Sequence, residues 1–259
     1  MTVEADRPAR MPAQRAAIDA TAGARHYLPE HRSGHLARVD RFSVFVDEDR
    51  YVPDIQIAID EGYYENGERD LIRTFLGPDD RVIEVGAGIG VTAMTAASIV
   101  GENNVVTFDA HSRILSDARD NFRRNGFLSL EARAGVLRNR RLFAPNSLTN
   151  FYIDTAFWVS RLGATATTPG ITKVVQAPVY CLEDEIAAIK ANVLLCDIEG
   201  GEVELLSHAD LSGIRLMIVE THPWLAGQAA IDAMARKIMM EGFSIDLGKP
   251  EHHIAVFRR

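Results

Sequence analysis

The sequence of 259 residues predicts an α/β fold, in which helices cover both faces of an open, doubly wound and mostly parallel sheet of seven strands. Three observations predict this fold. Short apolar runs and helical segments alternate from Asp80 onward in βαβαβ order. A glycine-rich loop joins the first of these runs to the first helix. Near the C-terminus, two short runs flank Gly248-Lys-Pro250, which predicts an antiparallel hairpin that closes the sheet.

The individual elements are predicted from the spacing of apolar residues and from the glycines and prolines that end them. A short strand is predicted at 41–46, ahead of helices at 52–59 and 65–76. The seven strands of the sheet are predicted at 81–85, 104–108, 130–134, 192–197, 215–220, 243–247 and 253–257. The helices of the alternating series are predicted at 91–100, 111–125, 182–191, 203–206 and 226–241.

Changes in composition along the chain predict its domain organisation. Residues 1–25 are rich in Ala, Arg and Pro and have weak periodicity, which is typical of a flexible tail. Residues 26–64 are interpreted as an N-terminal accessory segment and residues 65–259 as the main domain. The alternation of strands and helices is interrupted at about 138–178, and an insertion of this length is typical of a functional loop or an added hairpin.

The composition excludes several classes of protein. A net charge of −8 argues against nucleic-acid binding, because phosphate contacts need clustered Lys and Arg. The two cysteines, Cys181 and Cys196, form no disulfide framework and suit a reducing cytoplasm. Residues 1–24 do not have the apolar centre of a signal peptide, and no window approaches the roughly 18 apolar residues of a membrane helix. We expect a soluble, cytoplasmic protein with no membrane partner.

The glycine-rich loop reads Glu84-Val-Gly-Ala-Gly-Ile-Gly90. A dinucleotide-binding loop would need its third glycine at position 91, where Val91 stands, and a phosphate-cradling loop would need a G-K-[ST] ending. The E-x-G-x-G-x-G form instead resembles motif I of S-adenosylmethionine-dependent methyltransferases. In that interpretation, Glu84 holds the cationic methionyl part of the cofactor, directly or through water. The glycines allow the backbone to lie against the ligand.

Two further strand ends extend the predicted cofactor site. Asp109 ends the second strand of the sheet, where a carboxylate can accept hydrogen bonds from both ribose hydroxyls. Gly135 follows the third strand, at the expected position of the adenine. The predicted cofactor-binding residues are Glu84, Gly86, Ala87, Gly88, Gly90, Asp109, Ala110, Gly135 and Asp197.

A second group of polar residues lies downstream. Asp197 ends the fourth strand, while Glu220 and His222 end the fifth strand beside it. Ligands of open α/β sheets bind at the carboxyl ends of the strands. We therefore expect Asp197, Glu199, Glu220 and His222 to converge near the methyl acceptor.

The element Asp197-Ile-Glu-Gly-Gly-Glu202 makes the resemblance more specific, because the FkbM family of methyltransferases carries D-x-E-G-x-E after the fourth strand. The sequence resembles this family over about residues 65–247, with Glu84 and Asp109-Ala110 standing where the family more often has Asp and a Glu-Pro pair. Other matching pieces are Val106–Ala110, Asn121–Asn125, Cys181–Asp184 and Ile218–His222.

The resemblance implies a Rossmann-like class I methyltransferase that transfers a methyl group to a hydroxyl of a sugar or natural-product molecule. Our hypothesis for the chemistry is that His222 or Asp197 accepts the hydroxyl proton, with Glu220 orienting its partner. In a variant of this hypothesis, Asp197, Glu220 and His222 bind a divalent cation such as Mg²⁺, which holds the acceptor oxygens. The insertion at 138–178 lies on the acceptor side and would determine acceptor identity.

Several alternatives stay open. Phe151, Tyr152, Phe157 and Trp158 form either a wall of the acceptor pocket or part of the core. An amine acceptor is the alternative to a hydroxyl. A nicotinamide-dependent oxidoreductase would share the sheet, although it lacks the glycine at 91, and a non-catalytic relative could retain the cofactor site.

Overall fold

The computed structural model describes residues 33–251 and 253–259, apart from the side chains of 249–251. The predicted flexible tail at 1–25 lies outside these residues. The strands are β1 (Gly34–Val39), β2 (Phe42–Asp47), β3 (Val82–Val85), β4 (Val105–Asp109), β5 (Glu131–Ala134), β6 (Val136–Arg138), β7 (Leu148–Asp154), β8 (Ile171–Cys181), β9 (Val193–Cys196), β10 (Leu216–Glu220), β11 (Ser244–Glu251) and β12 (Ile254–Arg258). The helices are α1 (Pro53–Asp60), α2 (Asn66–Phe75), α3 (Val91–Val100), α4 (Ser112–Arg124), α5 (Leu182–Ile189), α6 (Glu202–Leu206), α7 (Pro223–Ala226) and α8 (Gln228–Met240), with 3-10 turns at Glu102–Asn104 and Phe157–Val159.

The large sheet has seven strands in the order β11-β12-β10-β9-β3-β4-β5. The five strands from β10 to β5 run parallel, and β12 pairs antiparallel with both β10 and β11. The reversal of strand order falls between β3 and β9, so the carboxyl ends of these two strands border the crevice in which such sheets bind ligands. The predicted α/β fold with a C-terminal hairpin is confirmed.

Both faces of the sheet are covered, which explains why its central strands are continuous apolar runs. Successive residues of β9 point to opposite faces: Val193 and Leu195 belong to one core cluster, and Leu194 and Cys196 to the other. Helices α1 to α4 and the β1–β2 hairpin supply the first cluster, while α5, α6 and α8 supply the second. None of the helices in the described part of the chain is both long and apolar enough to cross a membrane.

Asn121 of α4 and Asn125, which directly follows this helix, tie the N-terminal hairpin to the sheet. The backbone N–H of Ser43 donates to Asn125 Oδ1 at 2.8 Å, and that of Phe45 donates to Asn121 Oδ1 at 3.1 Å. The Asn121 side chain in turn donates to the carbonyl of Ile89 at 3.1 Å. These amides therefore satisfy backbone groups of β2 and connect that strand with the glycine-rich loop.

The turn before α2 is held by a fully buried arginine. Arg69 Nε donates to the carbonyl of Tyr64 at 2.9 Å, and its NH2 group donates to the carbonyl of Gly62 at 2.8 Å. The same guanidinium forms an ion pair with Asp40. The planar fork of the arginine thus fixes the backbone of the residues that lead into α2.

The insertion forms a second, three-stranded sheet in the order β6-β8-β7. β7 and β8 form an antiparallel hairpin, and β8 also pairs parallel with β6. Phe151 and Ala177 of the hairpin are buried with Val136 in a small apolar cluster of their own. Of the two predicted possibilities for the insertion, the added hairpin is the one that the structure contains.

Two predicted elements differ from the structure, and a third element was not predicted. The helix predicted at 226–241 begins only at Gln228, as α8, because Gly227 has a φ of +86°, outside the helical region, and separates it from the short helix α7. Gly248-Lys-Pro250 was predicted as a turn but lies within β11, where the pairing with β12 is irregular between Asp246 and Glu251. β1 was not predicted, because its alternation is weak and Leu36 is exposed.

Candidate active site

A cleft opens at the carboxyl ends of β3, β4, β5 and β9, and we call it the main cleft. It contains about 840 Å³ of space that is continuous with solvent. Six of the predicted cofactor-binding residues line it, namely Gly86, Gly88, Asp109, Ala110, Gly135 and Asp197. A smaller space of about 350 Å³, which we call the acidic cavity, adjoins it and is lined by Glu65, Glu68, Glu84, Asp197 and Glu220, among others. Ala87, Gly90 and His222 line neither space.

The glycine-rich loop is held against two strand ends. The N–H groups of Gly86 and Ala87 donate to the carbonyl of Phe108, at 2.9 and 3.1 Å. Gly86 has a φ of +97°, and a Cβ at this position would lie 1.7 Å from the carbonyl oxygen of Asp197. Gly86 is therefore required by the contact between the loop and the end of β9, as well as by its backbone conformation.

Gly90 has a packing role that the sequence did not indicate. It precedes α3 with a φ of +87°, and a Cβ there would lie 2.3 Å from the ring of Phe122. The close approach of α4 to the start of α3 therefore accounts for this glycine. Gly90 does not line the main cleft, so its contact with the cofactor stays a prediction.

Asp109 connects the end of β4 with the loop. Its Oδ2 accepts a hydrogen bond from the Gly88 N–H at 3.0 Å, and its Oδ1 accepts one from the His111 N–H at 2.7 Å. Burial raises the pKa of Asp109 to about 6, although these backbone donors oppose the rise. The carboxylate is thus oriented by the chain itself and lines the main cleft beside Ala110.

His111 also lines the main cleft and was not predicted from the sequence. Its side chain is buried, and burial lowers the pKa of the imidazole to about 4, so the ring is neutral near pH 7. Its Nδ1 has no hydrogen-bond partner in the described part of the structure. His111 follows Asp109, the carboxylate at the end of β4, by two residues, and this spacing is the sequence signal that could have identified it.

Glu84 is a buried carboxyl group without a counter-charge. It is 2% exposed, and among residues 33–251 and 253–259 neither of its oxygens makes a well-formed hydrogen bond, although the hydroxyls of Thr107 and Thr92 lie close enough to lower its pKa. Burial raises its pKa to about 7. An unpaired carboxyl group at this depth is costly, and a cationic or hydrogen-bond-donating ligand in the acidic cavity would relieve that cost.

Asp197, Glu220 and His222 converge as predicted. One ligand atom from each lies within 4.8 Å of the others. His222 Nε2 is 3.6 Å from Asp197 Oδ1 and 4.0 Å from Glu220 Oε1. One imidazole and two carboxylates can together accept a proton. The same three groups are also typical ligands of a divalent cation.

The neighbours of His222 orient its ring. Fully buried Glu202 accepts a hydrogen bond from the His222 backbone N–H at 2.8 Å, and its Oε1 lies 3.3 Å from Nδ1. Glu199 Oε2 is 3.5 Å from Nε2. A buried carboxylate at Nδ1 favours the proton on that nitrogen and leaves the Nε2 lone pair toward Asp197 and Glu220.

Close packing of carboxyl groups perturbs their protonation. Burial, followed by the charge of Asp197, raises the pKa of Glu220 to about 10. Burial and the nearby charge of Glu199 raise the pKa of Asp197 well above its ordinary value. Glu220 is therefore protonated near pH 7 in the absence of a bound cation, and it can then donate a hydrogen bond.

Other lining residues divide into predicted and unpredicted ones. Phe151, Phe157 and Trp158 from the insertion line the main cleft, whereas Tyr152 does not. Arg138 also lines it and pairs with Glu204. The lining residues that were not predicted include Tyr64, Glu65 and Glu68, which come from the segment that leads into α2.

A sequence model of the protein-L-isoaspartate(D-aspartate) O-methyltransferase family matches residues 58–137, which include the glycine-rich loop, Asp109 and Gly135. Over these residues the chain is similar in sequence to a methyltransferase family, and its large sheet is the open, doubly wound α/β fold described above. A comparison with curated proteins gives no significant match.

Solved methyltransferase structures resemble the chain only distantly. The match to Trm5b from Pyrococcus abyssi has 11% identity and a TM-score of 0.46, and covers 88% of this chain and 56% of that chain. The precorrin-6y C5,15-methyltransferase from Geobacter metallireducens GS-15 has 11% identity and a TM-score of 0.45, with coverage of 83% and 97%. The ribosomal protein L11 methylase from Lactobacillus delbrueckii subsp. bulgaricus has 13% identity and a TM-score of 0.43, with coverage of 86% and 95%. At TM-scores below 0.5, the likeness does not identify a substrate.

The buried carboxyl group of Glu84 leads to a prediction about the protein without a bound ligand. Because the folded-state pKa of about 7 lies above the ordinary 4.5, the folded state binds more protons than the unfolded state between these values, and stability falls as pH rises through them. Glu84→Gln removes this loss, so the variant should gain up to about 3 kcal/mol over the wild type at pH 8. The gain should vanish near pH 4.

Urea unfolding of both proteins across this pH range measures the difference. Glu61→Gln is a suitable control, because Glu61 is exposed and lines neither the main cleft nor the acidic cavity. A constant difference between Glu84→Gln and the wild type at all pH values would show that Glu84 does not titrate in this range.

Proposed function

We propose that the chain is an S-adenosylmethionine-dependent O-methyltransferase that acts on a hydroxyl of a small molecule, such as a sugar or a natural-product scaffold. The observation that carries this proposal is the cluster of Asp197, Glu220 and His222 at the strand ends next to the glycine-rich loop. Asp197 lines both the main cleft and the acidic cavity, so it lies where a donor and an acceptor would meet. The resemblance to the FkbM family supports a hydroxyl acceptor.

We assign the donor to the residues along the strand ends. Asp109 is placed to accept hydrogen bonds from ribose hydroxyls, with Ala110 beside it. Gly135 is assigned to the adenine end, because it follows β5 and lines the main cleft. Glu84 and Gly86 are assigned to the methionyl end, next to the acidic cavity.

The chemistry requires a group that accepts the acceptor's proton. S-adenosylmethionine, when bound, would supply a sulfonium-borne methyl group: a bond from the acceptor oxygen to the methyl carbon would form as the carbon–sulfur bond breaks, giving a methyl ether, with S-adenosylhomocysteine as the leaving group. Asp197, which lines both spaces, would take the hydroxyl proton directly, whereas buried His222 would take it through Asp197, 3.6 Å from its Nε2. Glu220, whose Oε1 is 4.0 Å from the same nitrogen, would help to orient the ring. The rest of the site acts by holding the two reactants in line.

The same three side chains also favour a second mechanism. Asp197, Glu220 and His222 would together hold a divalent cation such as Mg²⁺, which would lower the pKa of a bound hydroxyl. Activity that is lost with a chelator and restored by Mg²⁺ or Mn²⁺ would select this mechanism. Activity that is insensitive to the chelator would select proton transfer to the side chains alone.

The acceptor is assigned to the half of the main cleft that the insertion lines. Phe151, Phe157 and Trp158 offer apolar and aromatic surface, on which a sugar ring or a planar scaffold can stack. We place the reaction in the cytoplasm, because both cysteines are free thiols.

Methyl transfer from labelled S-adenosylmethionine to a panel of hydroxylated metabolites tests the proposal. A labelled methyl ether is the expected product, whereas a labelled amine would replace the hydroxyl acceptor with a nitrogen acceptor. Calorimetric titration with S-adenosylhomocysteine and with NAD separates a methyltransferase from an oxidoreductase. Binding of NAD alone would contradict the proposal.

A further inference from the structure

The acidic cavity has a one-sided charge distribution. Its lining includes the carboxyl groups of Glu65, Glu68, Glu84, Asp197 and Glu220, while no Lys, Arg or His stands among the described residues that line it. Thr92 and several apolar side chains complete the wall. A cavity with these walls favours a cationic group, because each carboxylate is destabilised by burial next to others of the same sign.

Three of these carboxyl groups, those of Glu65, Glu84 and Asp197, have buried oxygens without a hydrogen-bond partner in the described structure. Glu84, 2% exposed, has no well-formed hydrogen bond on either oxygen, although the hydroxyls of Thr107 and Thr92 lie close enough to lower its pKa. Glu65 also has a buried Oε2 without a partner. Buried polar groups are almost always hydrogen-bonded in folded proteins, so unpaired oxygens facing one cavity indicate a ligand that donates hydrogen bonds there.

The backbone of Glu65 is strained. It has a φ of 50° and a ψ of 38°, the left-handed conformation, which is uncommon for a glutamate. Arg69 holds this conformation in place through its bonds to the carbonyls of Tyr64 and Gly62. Strain of this kind persists where the surrounding structure imposes it, and it is concentrated at ligand-binding positions.

This conformation brings Glu65 against the glycine-rich loop. A Cβ at Gly88 would lie 3.3 Å from Glu65 Oε1 and 3.0 Å from the hydroxyl of Tyr64. Glu65 also lines both the main cleft and the acidic cavity. The carboxylate therefore lies at the boundary between the two, next to the loop assigned to the methyl donor.

We propose that Glu65 binds the ammonium group of the donor's amino-acid end, which enters the acidic cavity between Glu65 and Glu84. This inference rests on the proposed function, because it takes S-adenosylmethionine as the donor. The ammonium supplies the hydrogen bonds that the unpaired oxygens need and a positive charge that the cavity walls do not contain. The segment before α2 thus takes part in donor recognition.

Two stable ligands that differ in the amino-acid end test this inference. S-adenosylhomocysteine carries the ammonium, whereas 5′-methylthioadenosine has the same nucleoside thioether without the amino-acid end. Calorimetry on the full chain should show that Glu65→Gln weakens S-adenosylhomocysteine by roughly tenfold to a hundredfold and leaves 5′-methylthioadenosine unchanged. The exposed Glu61→Gln should change neither affinity.

A second variant separates recognition from folding. Glu65→Gly removes the carboxylate but tolerates the left-handed backbone, so it should be at least as stable to heat as the wild type and show the same selective loss. Equal weakening of both ligands, or weakening of neither, would overturn the role of Glu65. A wild-type chain that binds neither ligand would instead overturn the proposed function, and this inference with it.

Discussion

Replacing Gly86 by alanine is expected to abolish binding of the methyl donor and to lower the free energy of unfolding by about 3 kcal/mol. A Cβ at this position would lie 1.7 Å from the backbone carbonyl oxygen of Asp197. Neither atom can move aside by a rotation of a side chain, because one is a backbone atom and the other is bonded directly to the backbone. The loop can relieve the overlap only by moving away from the end of β9. That movement breaks the 2.9 Å hydrogen bond from the Gly86 N–H to Phe108 and displaces the donor site.

Gly126→Ala is the matched control for this prediction. Gly126 has a similar φ of +83°, but nothing lies within 4 Å of its Cβ position. Alanine at 126 therefore meets the strain of a left-handed backbone without the overlap, and should cost about 1 kcal/mol while leaving donor affinity intact. Urea unfolding and titration with S-adenosylhomocysteine measure both quantities. If both variants lost the same stability, the contact between the glycine-rich loop and the end of β9 would contribute nothing to the loss at Gly86.

The second large effect is expected at the acceptor. Asp197→Asn and His222→Asn should each lower kcat by roughly a hundredfold to ten-thousandfold while the affinity for the donor stays near normal. Asp197→Asn nearly preserves the volume of the side chain, and His222→Asn keeps a polar side chain. Each change removes a group that can accept the hydroxyl proton or ligate a cation. His222 is buried, so its variant also needs a thermal unfolding curve to show that it is folded.

His208→Asn serves as the control, since His208 is exposed and lines neither the main cleft nor the acidic cavity. Unchanged turnover in both Asp197→Asn and His222→Asn would remove these side chains from the reaction. A loss of donor affinity as large as the loss of kcat would instead place Asp197 in donor binding alone.

The fold and the positions of several charged residues at strand ends were predictable because they depend on local signals. Apolar runs such as β3, β4 and β9 are buried on both faces, and their ends bring Glu84, Asp109 and Asp197 to one edge of the sheet. The convergence of Glu220 and His222 with Asp197 follows from the pairing of β9 with β10. In these cases, a strand end and a charged residue coincide in the sequence.

The remaining parts of the site depend on contacts that no local pattern encodes. Glu65 has a left-handed backbone that opposes its own preference and is held by Arg69, so its position follows from tertiary structure. Gly90 was interpreted as part of a ligand loop, whereas the ring of Phe122 accounts for it. The strands of the insertion were difficult to place because β8 is largely exposed along its first half.

The packing of the insertion has a consequence for its local stability. Phe157, between β7 and β8, is buried in the first core cluster of the large sheet, whereas Phe151 and Ala177 of the two strands are buried with Val136 in a small separate cluster. Elements with few buried contacts open locally at a small fraction of the free energy of global unfolding. The strands β7 and β8 should therefore exchange their amide hydrogens before the central strands of the large sheet, while the turn at Phe157 stays protected.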